Sequence, residues 1–189
     1  MSRVAGLVLA AGEGRRLGRP KALVEHRGER LVDRAVRVLR EGGCDPVYVV
    51  AGAAPLEVPG ATVVNNPDWA TGMASSLTTG LSALPGGAGA VVVALVDQPG
   101  VGVETVRRLL TAYDRGGEVS VATYAGEPRN PVLLARRHWA EVSALATGDV
   151  GARPFLRAHP DLVTPVECGD VGDPSDIDTP DDLERVRSD

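Results

Sequence analysis

Val4-Ala5-Gly6-Leu7-Val8-Leu9-Ala10 is an unbroken apolar run, and a glycine-rich loop follows it directly. A short run of this kind predicts a strand that is buried on both faces, as in a parallel sheet. Three further apolar runs alternate with amphipathic or small-residue helical patterns; the strands are predicted at 47–50, 61–64 and 90–96, and the helices at 31–40, 72–84 and 103–114. This alternation predicts an α/β fold with three layers, in which helices cover both faces of a doubly wound, mostly parallel sheet.

The second half of the chain continues the alternation. Strands are predicted at 118–124, 132–135 and 162–167, and helices at 137–146 and 152–158. A last helix is predicted after Thr179, because Thr is a good N-cap, Pro180 suits the first helical position, and Asp181 and Asp182 favour the positive end of the helix dipole. Since the chain has no internal repeat and no long linker, we expect residues 1–189 to form one domain.

Composition narrows the functional classes. The net charge is −5, whereas a general nucleic-acid binder usually carries a basic face. Cys44 and Cys168 are far apart and outside any metal-ligand spacing, so they are expected to be reduced thiols. The apolar run at 4–11 is too short to span a bilayer. We therefore expect a cytoplasmic protein with no nucleic-acid partner and no membrane anchor.

The loop after the first strand predicts a polyphosphate ligand. Gly12 and Gly14 let the backbone approach a ligand and offer N–H groups to phosphate oxygens. Arginines and a lysine add positive charge within this one loop of an acidic protein, at Arg15, Arg16, Arg19 and Lys21.

Two familiar glycine motifs do not fit this loop. The P-loop needs Gly-Lys followed by Ser or Thr, but this chain has Gly18-Arg19-Pro20-Lys21-Ala22. The dinucleotide fingerprint needs a third glycine three residues after Gly14 and an acid at the end of the second strand. That glycine comes only at position 18, and the second strand ends in Ala51-Gly52.

Carboxylates on two other loops predict a metal site. Asp97 ends the most apolar strand, where a charged group needs a partner or a metal. Mg²⁺ prefers one or two carboxylates, with phosphate oxygens and water completing its shell. The second carboxylate is expected from Asp176-Ile177-Asp178, where Ile177 points inward. Because ligands of open α/β sheets bind beyond the carboxyl ends of the strands, the loops after Ala10, Val64 and Val96 are expected to share one crevice.

Two segments carry a family resemblance. Leu9-Ala-Ala-Gly-x-Gly-x-Arg-x-Gly-x-Pro-Lys21 resembles the signature loop of nucleotidyltransferases with a Rossmann-like, glycosyltransferase-A-like fold. Asn66-Pro-x-Trp-x-x-Gly-Met-x-x-Ser-Leu77 resembles a segment of the molybdenum cofactor cytidylyltransferases, which are MobA-like NTP transferases. The resemblance implies transfer of CMP from CTP to the terminal phosphate of a molybdopterin-type acceptor, with Mg²⁺ as cofactor. Relatives with Ala-Ala at positions 10 and 11 tend to use CTP, and those with Gly-Gly tend to use GTP.

The resemblance also implies roles for individual residues. Arg16, Lys21 and Asp97 are the expected catalytic residues, and Asp97 and Asp178 are the expected metal ligands, with Asp176 as the alternative to Asp178. The expected nucleotide contacts come from both loops: Leu9, Ala10, Ala11, Gly12, Gly14, Lys21, Asn66, Gly72 and Ser76. A molybdenum hydroxylase that receives the product is a further expected partner.

Several residues allow two interpretations. Trp69 is either a core anchor or a wall of the pterin site, and Asp149 and Arg153 either hold the acceptor phosphate or cap a helix. Arg129-Asn130 replaces the Gly-His that often precedes Pro-Val in this branch, which bears on the acceptor. The function also has two competing interpretations: nucleotidyl transfer to a sugar phosphate or another small phosphorylated acceptor, and a non-catalytic maturation factor that binds nucleotide or cofactor.

Overall fold

The computed structural model describes residues 3–188. Its strands are β1 (Arg3–Leu9), β2 (Glu25–His26), β3 (Glu29–Arg30), β4 (Val47–Ala51), β5 (Thr62–Asn65), β6 (Ala88–Leu95), β7 (Val119–Tyr124), β8 (Glu127–Ala135) and β9 (Val163–Glu167). Its α-helices are α1 (Leu31–Gly42), α2 (Met73–Ala83), α3 (Val103–Asp114), α4 (Trp139–Leu145), α5 (Arg153–Ala158) and α6 (Pro180–Ser188).

Seven strands form one sheet in the order β5-β4-β1-β6-β8-β7-β9, while β2 and β3 pair as a separate small hairpin. In the large sheet, β8 runs antiparallel to both of its neighbours, and the other pairings are parallel. The central strand β1 pairs with β4 and β6, so that Leu7 lies between Tyr48 and Val93. The prediction of a mostly parallel sheet is therefore confirmed.

Alternating residues of the strands bury two separate cores, one on each face of the sheet. Val8 belongs to the core under α1 and α3, whereas Leu7 and Leu9 belong to the core under α2, α4 and α5. This follows from the period of two along a strand. Helices thus cover both faces, which confirms the predicted three layers.

The structure departs from the predicted elements in the second half of the chain. The strand predicted at 132–135 begins at Glu127, because Ala125 and Gly126 adopt positive φ values and turn β7 into β8 as a tight hairpin. Its first residues are polar and largely exposed, so they carry no apolar signal. The helix predicted at 137–146 is divided into a 3₁₀ turn and α4. No helix described within residues 3–188 is both long and apolar enough to cross a membrane.

Glu167 ties the β7–β8 turn to the segment after β9, which carries Asp176 and Asp178. Its carboxylate accepts hydrogen bonds from the Thr123 hydroxyl at 2.9 Å and from the N–H groups of Ala125, Gly126 and Gly169 at 3.0, 3.2 and 3.0 Å. These bonds, first of all the one from Thr123, lower the pKa of Glu167.

Glu167→Gln should remove a stabilisation that depends on pH. Because the folded-state pKa lies below the usual 4.5, the carboxylate stabilises the fold above that value, and this contribution is lost as the pH falls through the folded pKa. We expect the melting temperatures of wild type and variant to differ most at neutral pH and to converge in acid. Glu127→Gln, on the hairpin whose turn Glu167 contacts, is the matched control. A difference that is constant from pH 7 to pH 3 would contradict this assignment.

Candidate functional site

The loops that follow β1, β5 and β6 meet at the carboxyl end of the sheet, as predicted. They enclose an open cavity of about 520 Å³. Most of the predicted site residues line this cavity: Leu9, Ala11, Gly12, Gly14, Arg16, Lys21, Gly72, Ser76, Asp97 and Asp178. Trp69 also lines it.

Two of the residues predicted to contact nucleotide lie behind the wall of this cavity. The N–H of Ala10 donates to the Val50 carbonyl, and its side chain packs into the core under α1 and α3. Asn66 is 1% exposed, and its amide donates to the hydroxyls of Ser75 and Ser76 at 2.9 and 3.0 Å. The Asn66 side chain thus supports Ser76, and the Ala10 side chain supports the sheet. A nucleotide contact through the backbone of Ala10, or through Asn66, stays a prediction.

Lys21 bridges the two predicted metal ligands. Its Nζ donates to Asp97 Oδ2 at 2.6 Å and, closer still, to Asp178 Oδ1. The side chains of Lys21 and Asp97 are each 17% exposed. Burial is the largest influence on the pKa of both groups. It raises the pKa of Asp97. Lys21 lowers this pKa, whereas the nearby charges of Asp176 and Asp178 raise it further. Burial also lowers the pKa of Lys21, but the two carboxylates outweigh it and the net shift is upward.

Neighbouring backbone contacts place Asp178 beside Asp97. The N–H of Ile177 donates to the Asp97 carbonyl at 2.8 Å, and the Ile177 side chain is fully buried. Helix α6 is capped by Thr179 and Asp182: the Asp182 N–H donates to the Thr179 hydroxyl, and the Asp182 carboxylate accepts from the N–H groups of Asp178 and Thr179. The cap is thus formed by these two side chains, and the Asp178 carboxylate faces Lys21 instead.

The carboxylates fit a divalent cation that also binds phosphate. Lys21 engages one oxygen each of Asp97 and Asp178, which leaves the second oxygen of each as a potential ligand. Within residues 3–188, no group of three or more His, Cys, Asp or Glu side chains could hold a metal ion. A metal held by these two carboxylates would have room in its shell for phosphate oxygens and water, which is the arrangement that Mg²⁺ prefers.

Helix α2 begins against the segment that precedes α5. Gly148 O accepts from the Ala74 N–H at 2.9 Å, and Asp149 Oδ1 accepts from the Met73 N–H at 3.3 Å. Asp149 therefore contacts the N-terminus of α2. Trp69 packs against the core under α2, as a core anchor would, and it also lines the first cavity. It does not line the second cavity described below, and its role as a wall of a pterin site stays a prediction.

Gly72→Ala should damage this junction. Gly72 has a φ of +120°, and a Cβ built there would lie 2.5 Å from the Gly148 carbonyl oxygen. We expect a loss of about 1–3 kcal/mol in the free energy of unfolding from backbone strain, together with weaker nucleotide binding. Gly126→Ala is the matched control, since Gly126 also has positive φ but open space around it. Equal losses in melting temperature for the two variants would show that the contact with Gly148 is unimportant.

A second cavity of about 470 Å³ adjoins the first. The two share Met73, Leu95, Asp97 and Asp149. Arg129 and Arg153 line only the second cavity, and neither forms a hydrogen bond through its side chain or an ion pair within the described chain. Gln98 also lines it, a residue that no sequence motif singled out.

A glycine-rich loop, a partly buried lysine–carboxylate cluster and an adjoining cavity on this fold are typical of nucleotidyltransferases. The model of the MobA-like NTP transferase domain matches residues 6–163, and the chain belongs to that family.

Known relatives span different activities. The chain is 40% identical to nicotine blue oxidoreductase of Paenarthrobacter nicotinovorans, with 97% of this chain and 96% of that protein covered. It is 58% identical to a probable molybdenum cofactor guanylyltransferase of Opitutus terrae over 52 residues, which cover 28% of this chain and 26% of that protein. The structure of Rv0371c from Mycobacterium tuberculosis superposes with a TM-score of 0.84 at 29% identity and covers 100% of this chain and 99% of that one. Rv0371c has also been solved in complex with manganese.

Proposed function

We propose that this protein transfers CMP from CTP to the terminal phosphate of a molybdopterin-type acceptor and releases pyrophosphate. The observation that carries the proposal is the cluster of Lys21, Asp97 and Asp178, which lies where a nucleotide-sized cavity meets a second cavity. Family membership supports nucleotidyl transfer, and the relative named as a molybdenum cofactor guanylyltransferase supports the acceptor.

In this mechanism, the chain positions its substrates and offsets their charge. The backbone at Gly12 and Gly14 approaches the triphosphate, and Arg16 and Lys21 neutralise its negative charge. Asp97 and Asp178 would hold Mg²⁺, which would lower the repulsion between the reacting phosphates. An oxygen of the acceptor phosphate forms a bond to the α-phosphorus as the bond to the β-phosphate oxygen breaks, and pyrophosphate leaves.

The preference for cytosine rests on Ala10-Ala11 and on Ser76. Because the Asn66 amide donates to the Ser76 oxygen, the Ser76 hydroxyl hydrogen is available to donate into the cavity. Cytosine offers acceptors at O2 and N3. The O6 of guanine is also an acceptor, and the similarity to a protein named as a guanylyltransferase makes GTP the competing nucleotide to be tested.

A second candidate is an oxidoreductase, because the relative that is 40% identical is named nicotine blue oxidoreductase. The chemistry of the site favours transfer. Two carboxylates and a lysine suit phosphate chemistry, and the loop after β1 lacks the spacing of the dinucleotide fingerprint.

Two further functions compete with the proposal, and the assay below distinguishes them as well. One is nucleotidyl transfer to a sugar phosphate, and the other is a role as a non-catalytic maturation factor. A molybdenum hydroxylase is the proposed recipient of the product, in the cytoplasm.

Pyrophosphate release tests the proposal. The protein is incubated with Mg²⁺ and each of CTP, GTP, ATP and UTP, with and without molybdopterin, and separately with glucose 1-phosphate. We expect release with CTP that requires molybdopterin. Release with GTP would keep the reaction and change the base, and release with the sugar phosphate would change the acceptor. CTP binding without release in any mixture would favour the maturation factor, and reduction of nicotine blue by NADH or NADPH without release would favour the oxidoreductase.

A further inference from the structure

The two proposed metal ligands lie on separate segments of the chain, and both segments are irregular at that point. Asp97 follows β6, and Asp178 lies in the segment between β9 and α6. Mg²⁺ requires oxygen ligands at about 2 Å in nearly octahedral directions, so that two carboxylate oxygens must come to about 3 Å from each other. The distance between the two segments therefore decides whether both carboxylates can bind the same ion.

Backbone hydrogen bonds join the loop after β6 to the segment before α6 at two points. The Ile177 N–H donates to the Asp97 carbonyl at 2.8 Å, and the Asp173 N–H donates to the Gly100 carbonyl at 3.0 Å. At the second point the two backbones are so close that a Cβ built on Gly100 would lie 2.5 Å from the Asp173 carbonyl oxygen. The two segments thus run against each other beside the proposed metal ligands.

The side chain of Gln98 joins the same two segments between these points. Gln98 is only 8% exposed, and its Nε2 donates to Asp176 Oδ1 at 2.8 Å and to the Pro174 carbonyl at 3.1 Å. Because both partners are acceptors, the nitrogen of the amide must face them, and both of its N–H groups are used. The bond to the carboxylate is charge-assisted, which makes it stronger than a bond between neutral groups. The residue after Asp97 is thereby bonded to the residue two positions before Asp178.

We propose that Gln98 and Asp176 form a clamp that sets the distance between Asp97 and Asp178, and that this clamp determines the affinity of the site for a divalent cation and its selectivity between cations. Gln98 and Asp176 are then positioning residues, and the metal ligands remain Asp97 and Asp178. This inference rests on the proposed function, from which it takes the metal site, and deepens it.

The surroundings of Asp176 favour this role over the metal ligation that the sequence left open. The ammonium group of Lys21 contacts both Asp97 and Asp178, and so marks the point where these two carboxylates converge. Asp176 forms no ion pair with Lys21 within the described part of the chain, and it lines the second cavity without lining the first. Its Oδ1 accepts from the Gln98 amide instead.

Binding of Mn²⁺ without nucleotide or acceptor, followed by electron paramagnetic resonance, tests the clamp. Gln98→Met keeps the length of the side chain and loses both hydrogen bonds. We expect it to bind Mn²⁺ about tenfold more weakly than wild type, since one well-formed hydrogen bond no longer holds the ligands in place. Ca²⁺ accepts longer bonds in a more flexible geometry, so its affinity, measured by competition with Mn²⁺, should fall only about twofold.

Asp176 supplies a matched pair of variants, and because this residue is exposed, both should fold. Asp176→Leu and Asp176→Asn lose the same charge, but only Asn retains an oxygen that can accept from the Gln98 amide. We expect Asp176→Asn to stay within about threefold of the wild-type affinity for Mn²⁺ and Asp176→Leu to lose about tenfold. In a Gln98→Met background the two substitutions should have equal effects, because the hydrogen bond that distinguishes them is already absent.

Two results would overturn the inference and leave the proposed reaction intact. One is a Gln98→Met variant that melts at a lower temperature but binds Mn²⁺ as tightly as wild type, which would make the role of Gln98 purely structural. The other is an equal loss of Mn²⁺ affinity in Asp176→Leu and Asp176→Asn, which would make Asp176 a ligand or a source of charge. Absence of pyrophosphate release together with the expected pattern of Mn²⁺ affinities would instead overturn the transfer reaction while supporting the clamp.

Discussion

Replacing Asp97 with Asn should lower the rate of nucleotidyl transfer by about a hundred- to a thousandfold, the range measured when one preorganised charge-stabilising group is removed from an active site. Asp97 is the more buried of the two proposed metal ligands and lies at the junction of both cavities. An amide has nearly the same shape but no charge, so the variant loses affinity for the metal without leaving a hole. The measurement is steady-state pyrophosphate release at saturating CTP and acceptor.

Folding and metal binding must be followed in the same variant. Since Lys21 keeps its contact with Asp178, we expect Asp97→Asn to melt close to the wild-type temperature. Asp170→Asn is the matched control, because Asp170 lies in the segment after β9 but pairs with Arg108 at the surface. Rising Mg²⁺ or Mn²⁺ concentrations should recover part of the lost rate. A variant with full activity at all metal concentrations would remove Asp97 from the mechanism.

Local sequence signals predicted the elements that position the centre of the site. The apolar run before Asp97 defines β6, and the glycines after β1 define the loop that reaches Lys21. The alternation in Asp176-Ile177-Asp178 correctly predicted that Ile177 is buried, and the helix predicted at 103–114 has the bounds of α3. Each of these signals depends only on the period of a strand or helix and on its neighbours in sequence.

The contacts that the sequence did not predict are those made between segments that meet only in the folded chain. Asn is a residue type typical of turns, and only the placement of α2 shows that the Asn66 amide donates hydrogen bonds to Ser75 and Ser76. Similarly, Gln98 and Asp176 are 78 positions apart, and nothing in either segment predicts their hydrogen bond. The β2–β3 hairpin has strands of two residues each, which is too short for a periodic pattern.

Replacing Lys21 with Met should lower the rate of transfer and, in the opposite direction, raise the affinity for the metal ion. The ammonium group now bonds one oxygen of Asp97 and one of Asp178. The rate of transfer should fall by about a hundredfold or more, because the half-buried site loses a positive charge that offsets the charge of the triphosphate. Removal of Lys21 also leaves two carboxylates without their internal cation, so we expect Mn²⁺ to bind about tenfold more tightly in the absence of nucleotide, a change of about 1.4 kcal/mol.

Mn²⁺ binding measured by electron paramagnetic resonance or calorimetry separates these effects. Arg16→Met is the matched control, since it removes a positive charge from the same loop but has no contact with either carboxylate among the described residues. It should weaken CTP binding and leave the affinity for free Mn²⁺ unchanged. If Lys21→Met binds free Mn²⁺ no better than wild type, the ammonium does not compete with the metal for these oxygens. If Lys21→Met binds free Mn²⁺ more tightly, the ammonium competes with the metal for these oxygens in wild type. We then expect triphosphate to strengthen metal binding in wild type, because the phosphates attract Lys21 away from the carboxylates.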